Sequence, residues 1–453
     1  MPIDSIHPKY RYYQNALIDC RNAFEGGRAI KAAGQRYLPR LKSQRDDDYN
    51  SYKERAFFFS ITNKTVSALV GMVMSRPPQL QHTDEMNVFF KERQGAQFLE
   101  IASTTIEEVL LMGGYGILID APQDGAQVPR LPRYSRESII NWKVDDSGRP
   151  TLIVLCEEAI RNKADDEYEF EIIKRYRKLY LDLAGQYRSA LYDDDKSFIS
   201  EVIPTLKGQP LDHIPFYMFT PLGLQMDIMK PPMLDIVDLN ISHYRTSADL
   251  EHGRHFTGLP TPVIIGMEKG DDMYIGSQAA WILPNPDADA KYLEFTGQGL
   301  TSLERALSEK QSQMASMSAR MLDNSKRGSE AAETVKLRYM SESASLITVT
   351  RSVEDGFNQL YAEVAEIMGT EAPTIQFNKE FLDPKLTPAE LDSLVNAYLE
   401  GTISKETLIY NLRKGDIISA KRTDEEELSE IKDPPERPDP NAVTARKPVA
   451  PPA

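Results

Sequence analysis

The stretch 233-MLDIVDLNISHYRTSADLEHGRHF-256 and its counterpart 300-LTSLERALSEKQSQMASMSARML-322 decide how this chain is built. Each reads as a helix of about six turns, and the first follows directly on Pro231-Pro232, which cannot continue a preceding helix. Between them lie four short runs: Thr261–Gly266, Asp271–Gly276, Ala279–Pro284 and Ala290–Phe295. They mix β-branched and aromatic residues between Gly, Pro, Asn and Asp breakers, which predicts a small β insert. Past the second helix comes a polar, basic loop, Asp323-Asn324-Ser325-Lys326-Arg327-Gly328-Ser329, and then a proline-free helical pattern from Ser329 to Met368. At ~1.5 Å per residue that pattern spans ~60 Å, more than one compact domain needs, so it predicts an extended element with a partner to lie against.

The chain has 453 residues and a net charge of −15, with enough apolar content for two to four domains. No run reaches ~18 apolar residues, and the start Met1-Pro2-Ile3-Asp4 has no charged-then-apolar leader, so neither membrane insertion nor export is expected. Cys20 and Cys156 lie far apart in a helical and a strand pattern, which predicts buried thiols and no disulfide or metal pair. The acidic balance argues against tight sequence-independent DNA binding, which draws on many Lys and Arg contacts to phosphate. It is compatible with DNA passing close by without sticking.

Outward from the paired helices, the N-terminal region reads as helical. The expected helices are Lys9 to Glu25, about Asp46 to Ser75, Asp84 to Arg93, and Ala96 to Met112. The last feeds through Gly113-Gly114 into a strand at Tyr115–Ile119. From Tyr134 to Tyr217 the pattern becomes β, with strands at Ile139–Val144, Thr151–Glu157, Tyr168 to Asp182 and Gln186 to Tyr192. In the long helix Leu346, Val349, Val353, Phe357, Leu360, Val364 and Ile367 define one buried stripe, with a bend expected at Gly356 and a stop at Gly369. A strand at Thr374–Phe377 precedes two helices, Pro388 to Glu400 and Ser404 to Lys414. The tail from Asp433 to Ala453 has seven prolines and no apolar periodicity, a disordered composition. The fold class is α+β, mainly helical.

Catalytic signatures are sparse. His243, His252 and His255 are the sharpest enzymatic idea, a metal-dependent hydrolase. Their spacing of nine and three does not match ligands four apart on one helix face, and packing at a helix end is the plainer account. Met112-Gly113-Gly114-Tyr115-Gly116 follows a helix and precedes a strand, the reverse of a phosphate-cradling loop. No serine sits in a Gly-x-Ser-x-Gly elbow. No enzyme activity, cofactor or metal is expected. Trp142 reads as core, and Trp281, in an insert too small for a large core, as either a contact or a packing residue.

These pieces resemble the portal proteins, or head-to-tail connectors, of tailed bacteriophages. The resemblance rests on Tyr37-Leu38-Pro39, then Tyr52-x-x-x-Arg55-Ala56-x-Phe58, Thr62-x-x-Thr65-Val66-x-x-Leu69-x-Gly71, and Ile139-Ile140-Asn141-Trp142. Asn240-x-x-His243-Tyr244-Arg245-x-Ser247-Ala248-Asp249 and Gly258-Leu259-Pro260-Thr261-Pro262 follow in order, so it covers roughly Ile30 to Gly369. The family's Ser-Gly-x-Ala pattern at the start of the long helix is present only loosely, as Gly328-Ser329-Glu330-Ala331-Ala332. What the resemblance implies is a ring, usually of twelve copies, with wing, stem, clip and crown parts around a channel for double-stranded DNA. Residues 1–230 would be wing, 231–256 and 300–322 the two stem helices, and 257–299 the clip. Residues 323–383 would hold the channel loop, long wing helix and closing strand, 384–432 the crown, and 433–453 the disordered tail.

By the same resemblance Asn324, Lys326 and Arg327 would face DNA, and Asp271, Asp272, Trp281 and Asp287 would serve docking at the clip. The implied partners are the terminase large subunit, a head-tail adaptor, the major capsid protein and a scaffold protein. The implied location is the virion's portal vertex, with the host cytoplasm during assembly. Independently of the resemblance, Leu303, Leu307, Met314, Met317 and Met321 make one narrow stripe on the second paired helix, with polar residues elsewhere. A helix packed along one seam and wet on the other side has this pattern, as does an ordinary surface helix. The insert Thr257–Gly299 carries six acids against Lys269 and Lys291. Twelve copies would carry a charge on the order of −180, a reason for weak DNA grip. A monomeric scaffold that binds partners along its long helix is the third expectation weighed.

Overall fold

The computed structural model describes residues 2–40, 42–86, 89–90, 95–120, 128–162, 168–206, 208–258, 261–265, 287, 289–293, 298–322, 332–379, 381, 388–414 and 417–418. Two compact units divide the chain, Met1–Lys379 and Glu380–Ala453.

The first unit opens with α1 (Pro8–Glu25), α2 (Gly27–Ala32), α3 (Asp46–Arg55) and α4 (Ile61–Val73). His7 caps α1 through Nδ1, which accepts from the Lys9 amide, and Pro8 occupies the first turn, where its missing N–H costs nothing. The single helix expected from Asp46 to Ser75 is two helices. Ala56 is extended, with ψ 132°, although the apolar spacing runs through the break. Tertiary hydrogen bonds hold the chain open there: the Asn240 side chain donates to the Phe59 carbonyl at 2.8 Å and accepts from Thr62 Oγ1 at 3.1 Å. Phe58 is buried edge-on to Tyr244. Propensity favoured continuity, and contacts with a distant helix overrode it.

Next come β1 (Gln79–Gln81), α5 (Gly95–Met112), β2 (Tyr115–Leu118), β3 (Arg133–Ser135), β4 (Ile139–Val144), β5 (Pro150–Asn162), β6 (Phe170–Leu181), β7 (Tyr187–Tyr192) and β8 (Phe198–Val202). β9 (Thr205–Leu206), β10 (Gln209–Pro210), β11 (Phe216–Thr220) and β12 (Gly223–Leu224) follow. Part of the expected helix from Asp84 to Arg93 lies outside the described residues. Two larger sheets result, both antiparallel: β12-β11-β2-β3, and the meander β4-β5-β6-β7-β8. β5 is longer than the expected Thr151–Glu157 because its last five residues pair with the start of β6 alone.

The N-terminal segment straps the meander. His7 N donates to the Ile140 carbonyl at 3.0 Å, Asn141 Nδ2 donates to the Ser5 carbonyl at 2.8 Å, and Asp4 pairs with Lys196 at 2.6 Å across the β7–β8 turn. Trp142 is core, as its pattern predicts. The His7 ring stacks on it at 4.0 Å, and the fully buried Arg136 guanidinium lies 4.5 Å from its ring centroid. Burial lowers Arg136 to about 10, which leaves it charged at neutral pH. Cys20 is buried and Cys156 half-buried, and both are free thiols.

The remaining elements of this unit are α6 (Leu234–Gly258), β13 (Thr261–Ile265), β14 (Asp289–Leu293), α7 (Gln298–Leu322), α8 (Ala332–Met368) and β15 (Thr374–Gln376), which pairs with β1. The main core lies where α5, α8 and β11 meet, around Phe89, Phe98, Phe219, Phe357, Tyr361 and Phe377, which contact one another edge-on, tilted or stacked. Gly356 does not interrupt α8. A Cβ there would sit 2.6 Å from the Phe219 ring, so the glycine serves close approach to β11. The stripe residues Leu346, Val349, Val353, Phe357, Leu360 and Val364 are all buried. In the second unit α9 (Pro388–Leu399) packs with α10 (Lys405–Lys414), and Ile409 is buried. The proline-rich tail lies outside the described residues.

Candidate functional site

α6 and α7, 25 residues each, form the paired helices predicted from sequence, and they pack on one another. β13 and β14 pair antiparallel from Thr261 opposite Leu293 to Ile265 opposite Asp289, so the insert springs from the hairpin's end as a two-stranded stalk. The insert's two middle strands lie outside the described residues.

The root of α6 is fixed by the segments that carry the sequence resemblance. Arg245 Nε donates to the Tyr37 carbonyl at 2.7 Å, and Tyr52 Oη donates to Asp249 at 2.5 Å. Asn240 bridges Phe59 and Thr62, and Tyr49 Oη donates to the Leu38 carbonyl at 3.0 Å. Motifs some 200 residues apart thus meet around one helix. Each bond satisfies a polar group that burial would otherwise penalise.

α7 is held differently. Leu300 lies against Gly253, where a Cβ would come within 2.5 Å of it, so the helices approach closely at this end. Arg254 reaches Glu304 at 2.8 Å and Glu251 at 2.9 Å. Lys310 Nζ donates to the Ser242 carbonyl at 3.1 Å and Thr246 Oγ1 at 2.6 Å. Burial, followed by the nearby Arg245 charge, lowers the Lys310 pKa. Thr65 and Ser318 share a buried hydroxyl bond of 2.8 Å between α4 and α7. Of the stripe residues, Met314 is buried, while Leu303, Leu307 and Met317 are half-buried in the chain alone. The side chain of Met321 lies outside the described residues. Thr301, Arg305, Ser308, Glu309, Ser312 and Ser316 are exposed.

The three histidines do not converge. His243 is buried between the Phe59 ring and Gln311 Nε2, 3.2 Å away, and burial, then Lys310, lowers its pKa. His252 meets Tyr52 edge-on, and His255 Nε2 lies 3.2 Å from Arg55. Among the described residues no group of three His, Cys, Asp or Glu is placed to hold a metal ion. Asn324, Lys326 and Arg327 lie outside the described residues, as do Asp271, Asp272 and Trp281. Asp287 is exposed in the turn before β14.

Two polar clusters escape sequence reasoning. Arg21 on α1 makes two bonds to the Glu108 carboxylate, at 2.8 and 2.7 Å, and a third to Glu137 at 2.7 Å. His213 bridges Asp212 at 2.8 Å and Glu363 of α8 at 3.0 Å, and Tyr217 also donates to Glu363. Those carboxylates, Glu363 first, push His213 up to about 9 against the opposing effect of burial. No local motif marks either cluster, because the partners are 87 and 150 residues apart.

A family model described as a domain of unknown function (DUF4055) matches residues 232–368, the span from α6 to the end of α8. No curated protein matches the chain. Among solved structures, the chain is similar to one from the virion of a native gene transfer agent particle. It is 14% identical with a TM-score of 0.41, over 83% of this chain and 96% of that one. A chain from the neck of an empty particle of the same kind, computed with C6 symmetry, is 14% identical with a TM-score of 0.40, over 87% and 99%. A chain from the neck of the native particle, computed with C12 symmetry, is 12% identical with a TM-score of 0.38, over 85% and 98%.

Proposed function

We propose that this chain is the portal subunit of a phage-like particle, a ring at one capsid vertex through which double-stranded DNA is packaged and later ejected. The observation that carries the reading is the α6–α7 hairpin. One helix is rooted in the subunit by the very motifs that resemble portal proteins, its mate offers a polar, solvent-facing side, and a β stalk rises from the far end. In a ring, α7 would line or flank the lumen, and neighbouring copies would meet along the hairpins.

The mechanism is geometric and electrostatic. Acidic and polar walls deny DNA a firm hold, while Lys326 and Arg327, repeated around the ring, make transient phosphate contacts that steady the duplex. The insert docks the packaging motor, whose terminase large subunit hydrolyses ATP, and later a head-tail adaptor. The wing contacts the major capsid protein and scaffold.

Mass measurement and negative-stain imaging of the purified chain test this. A closed ring near twelve times the subunit mass is expected, and a strictly monomeric chain at high concentration overturns the reading. Replacing Lys326 and Arg327 by Ala should change packaged length or retention while the ring still forms. Deleting residues 271–289 should abolish motor docking and spare folding.

A further inference from the structure

The outer end of the five-stranded sheet has two unlike faces. On one, Arg161 holds Glu171 at 2.8 Å and Asp194 at 3.2 Å, and Arg175 reaches Asp193 at 3.4 Å, so its charges are matched within the chain. On the other, Ile160 and Ile172 are cross-strand partners and stand 73% and 72% exposed, beside Phe170 at 60%. β5 and β6 run alone here, because β7 joins β6 only from Tyr176 onward. Nearer the body, the same face is strapped by the N-terminal segment through Asp4 and Lys196. Between strap and apolar tip lies one more cross-strand pair, Glu158 opposite Lys174. Both are exposed, and neither belongs to an ion pair among the described residues.

An exposed apolar ribbon invites association, and the charges beside it say with what. We infer that this face docks a second copy of the chain, face to face, about a two-fold axis running along the ribbon. That rotation lays β5 of each copy over β6 of the other at the same height, across the ~10 Å that separates packed sheets. Ile160 then meets Ile172 of the second copy, and Glu158 meets its Lys174. The symmetry repeats both contacts, so an apolar centre is bordered by two ion pairs with no charge left opposed to its like. The row Glu158–Lys174 is self-complementary under this one operation, which commits the surface to a copy of itself. A foreign partner would have to reproduce the same alternation.

The contact is small beside the ~1,600 Å² of a standard interface, so it is weak and concentration-dependent. It goes beyond the ring reading and does not rest on it. A two-fold contact closes on itself and cannot propagate a ring, so it joins free subunits or whole rings in pairs.

The test uses the full chain in a Cys156→Ser background, since Cys156 lies on the same face. Ile160→Cys and Ile172→Cys are prepared separately, then mixed in equal amounts and treated with a short bis-maleimide, since sheets ~10 Å apart leave facing Cα atoms too distant for a direct disulfide. Cross-linked dimers on a denaturing gel are expected in the mixture in clear excess over either variant alone. In sedimentation, Glu158→Lys and Lys174→Glu should each weaken pairing by about tenfold, and the double reversal should restore it. No cross-link in the mixture, or no rescue by the double reversal, overturns the proposal. Capture of a different protein by the tip without self-association overturns it equally. Ring formation is expected to ignore the charge reversals, because a two-fold contact does not build the ring, so failure of this pairing leaves the portal reading standing and the two are separable.

Discussion

α6 and α7 are equal in length and lie side by side, yet they stand in opposite relations to the rest of the chain. α6 is enclosed by α1, α3, α4 and α7, with Ile236, Val237, Ile241, Tyr244, Ala248 and Leu250 all buried. α7 buries Met314 and Ser318 among its described side chains, and it is otherwise fastened by polar groups: Lys310, Gln311, Ser318 and Glu304. Apolar burial contributes the larger energies, and hydrogen bonds the smaller net ones. The difference teaches that α6 belongs to the subunit's core, whereas α7 is fastened largely by polar contacts and keeps one side exposed.

The contrast can be broken most forcefully at Tyr244. Tyr244→Ala should cost about 3–5 kcal/mol in chemical denaturation, because a fully buried ring against Phe58 is lost. Asn240→Ala should cost about 1–3 kcal/mol, since the buried Thr62 hydroxyl loses its acceptor and the Phe59 carbonyl keeps only the Ile61 amide. Equal losses from Leu307→Ala on α7 would erase the distinction. At the other extreme, Ser316→Trp on the exposed side of α7 should leave the stability of the lone chain within about 0.5 kcal/mol. Sedimentation should nonetheless show assembly impaired, if that side meets neighbours.

The smallest effect is expected outside the hairpin, at the clamp on α8. His213 is raised from 6.5 to about 9 by Glu363 and Asp212. A raised cationic group stabilises fully below its unfolded value and loses that contribution as pH rises through the folded one. Stability should therefore decline between pH 6.5 and about 9, modestly because His213 is partly exposed. His213→Gln should flatten that slope, as thermal melts across the window would reveal.

Much of the organisation was legible because periodicity encodes burial directly. The stripe from Leu346 to Val364 gave α8, and the breakers around Thr261 and Ala290 gave the stalk. The break at residues 56–60 was not, since Asn240, which holds it, lies some 180 residues away. The close approach at Gly356 was hidden for a related reason: the Phe219 ring that fills the space of a Cβ lies far away in sequence. In the candidate site, the resemblance motifs turned out to be mutual contacts, as with Tyr37 and Arg245. The carboxylate around His213 and the two-faced ribbon at Ile160 and Ile172 arise from strand register and long-range pairing, which periodicity does not carry.

The N-terminal strap has a consequence for the order of events during synthesis. Asp4 and His7 find their partners only when Lys196 and Ile140 exist, so this segment must wait for nearly two hundred further residues to be made. At ribosomal speeds that is roughly 10–40 s of exposure. The meander is then strapped by a segment made long before it, one among the last in this region to find its place.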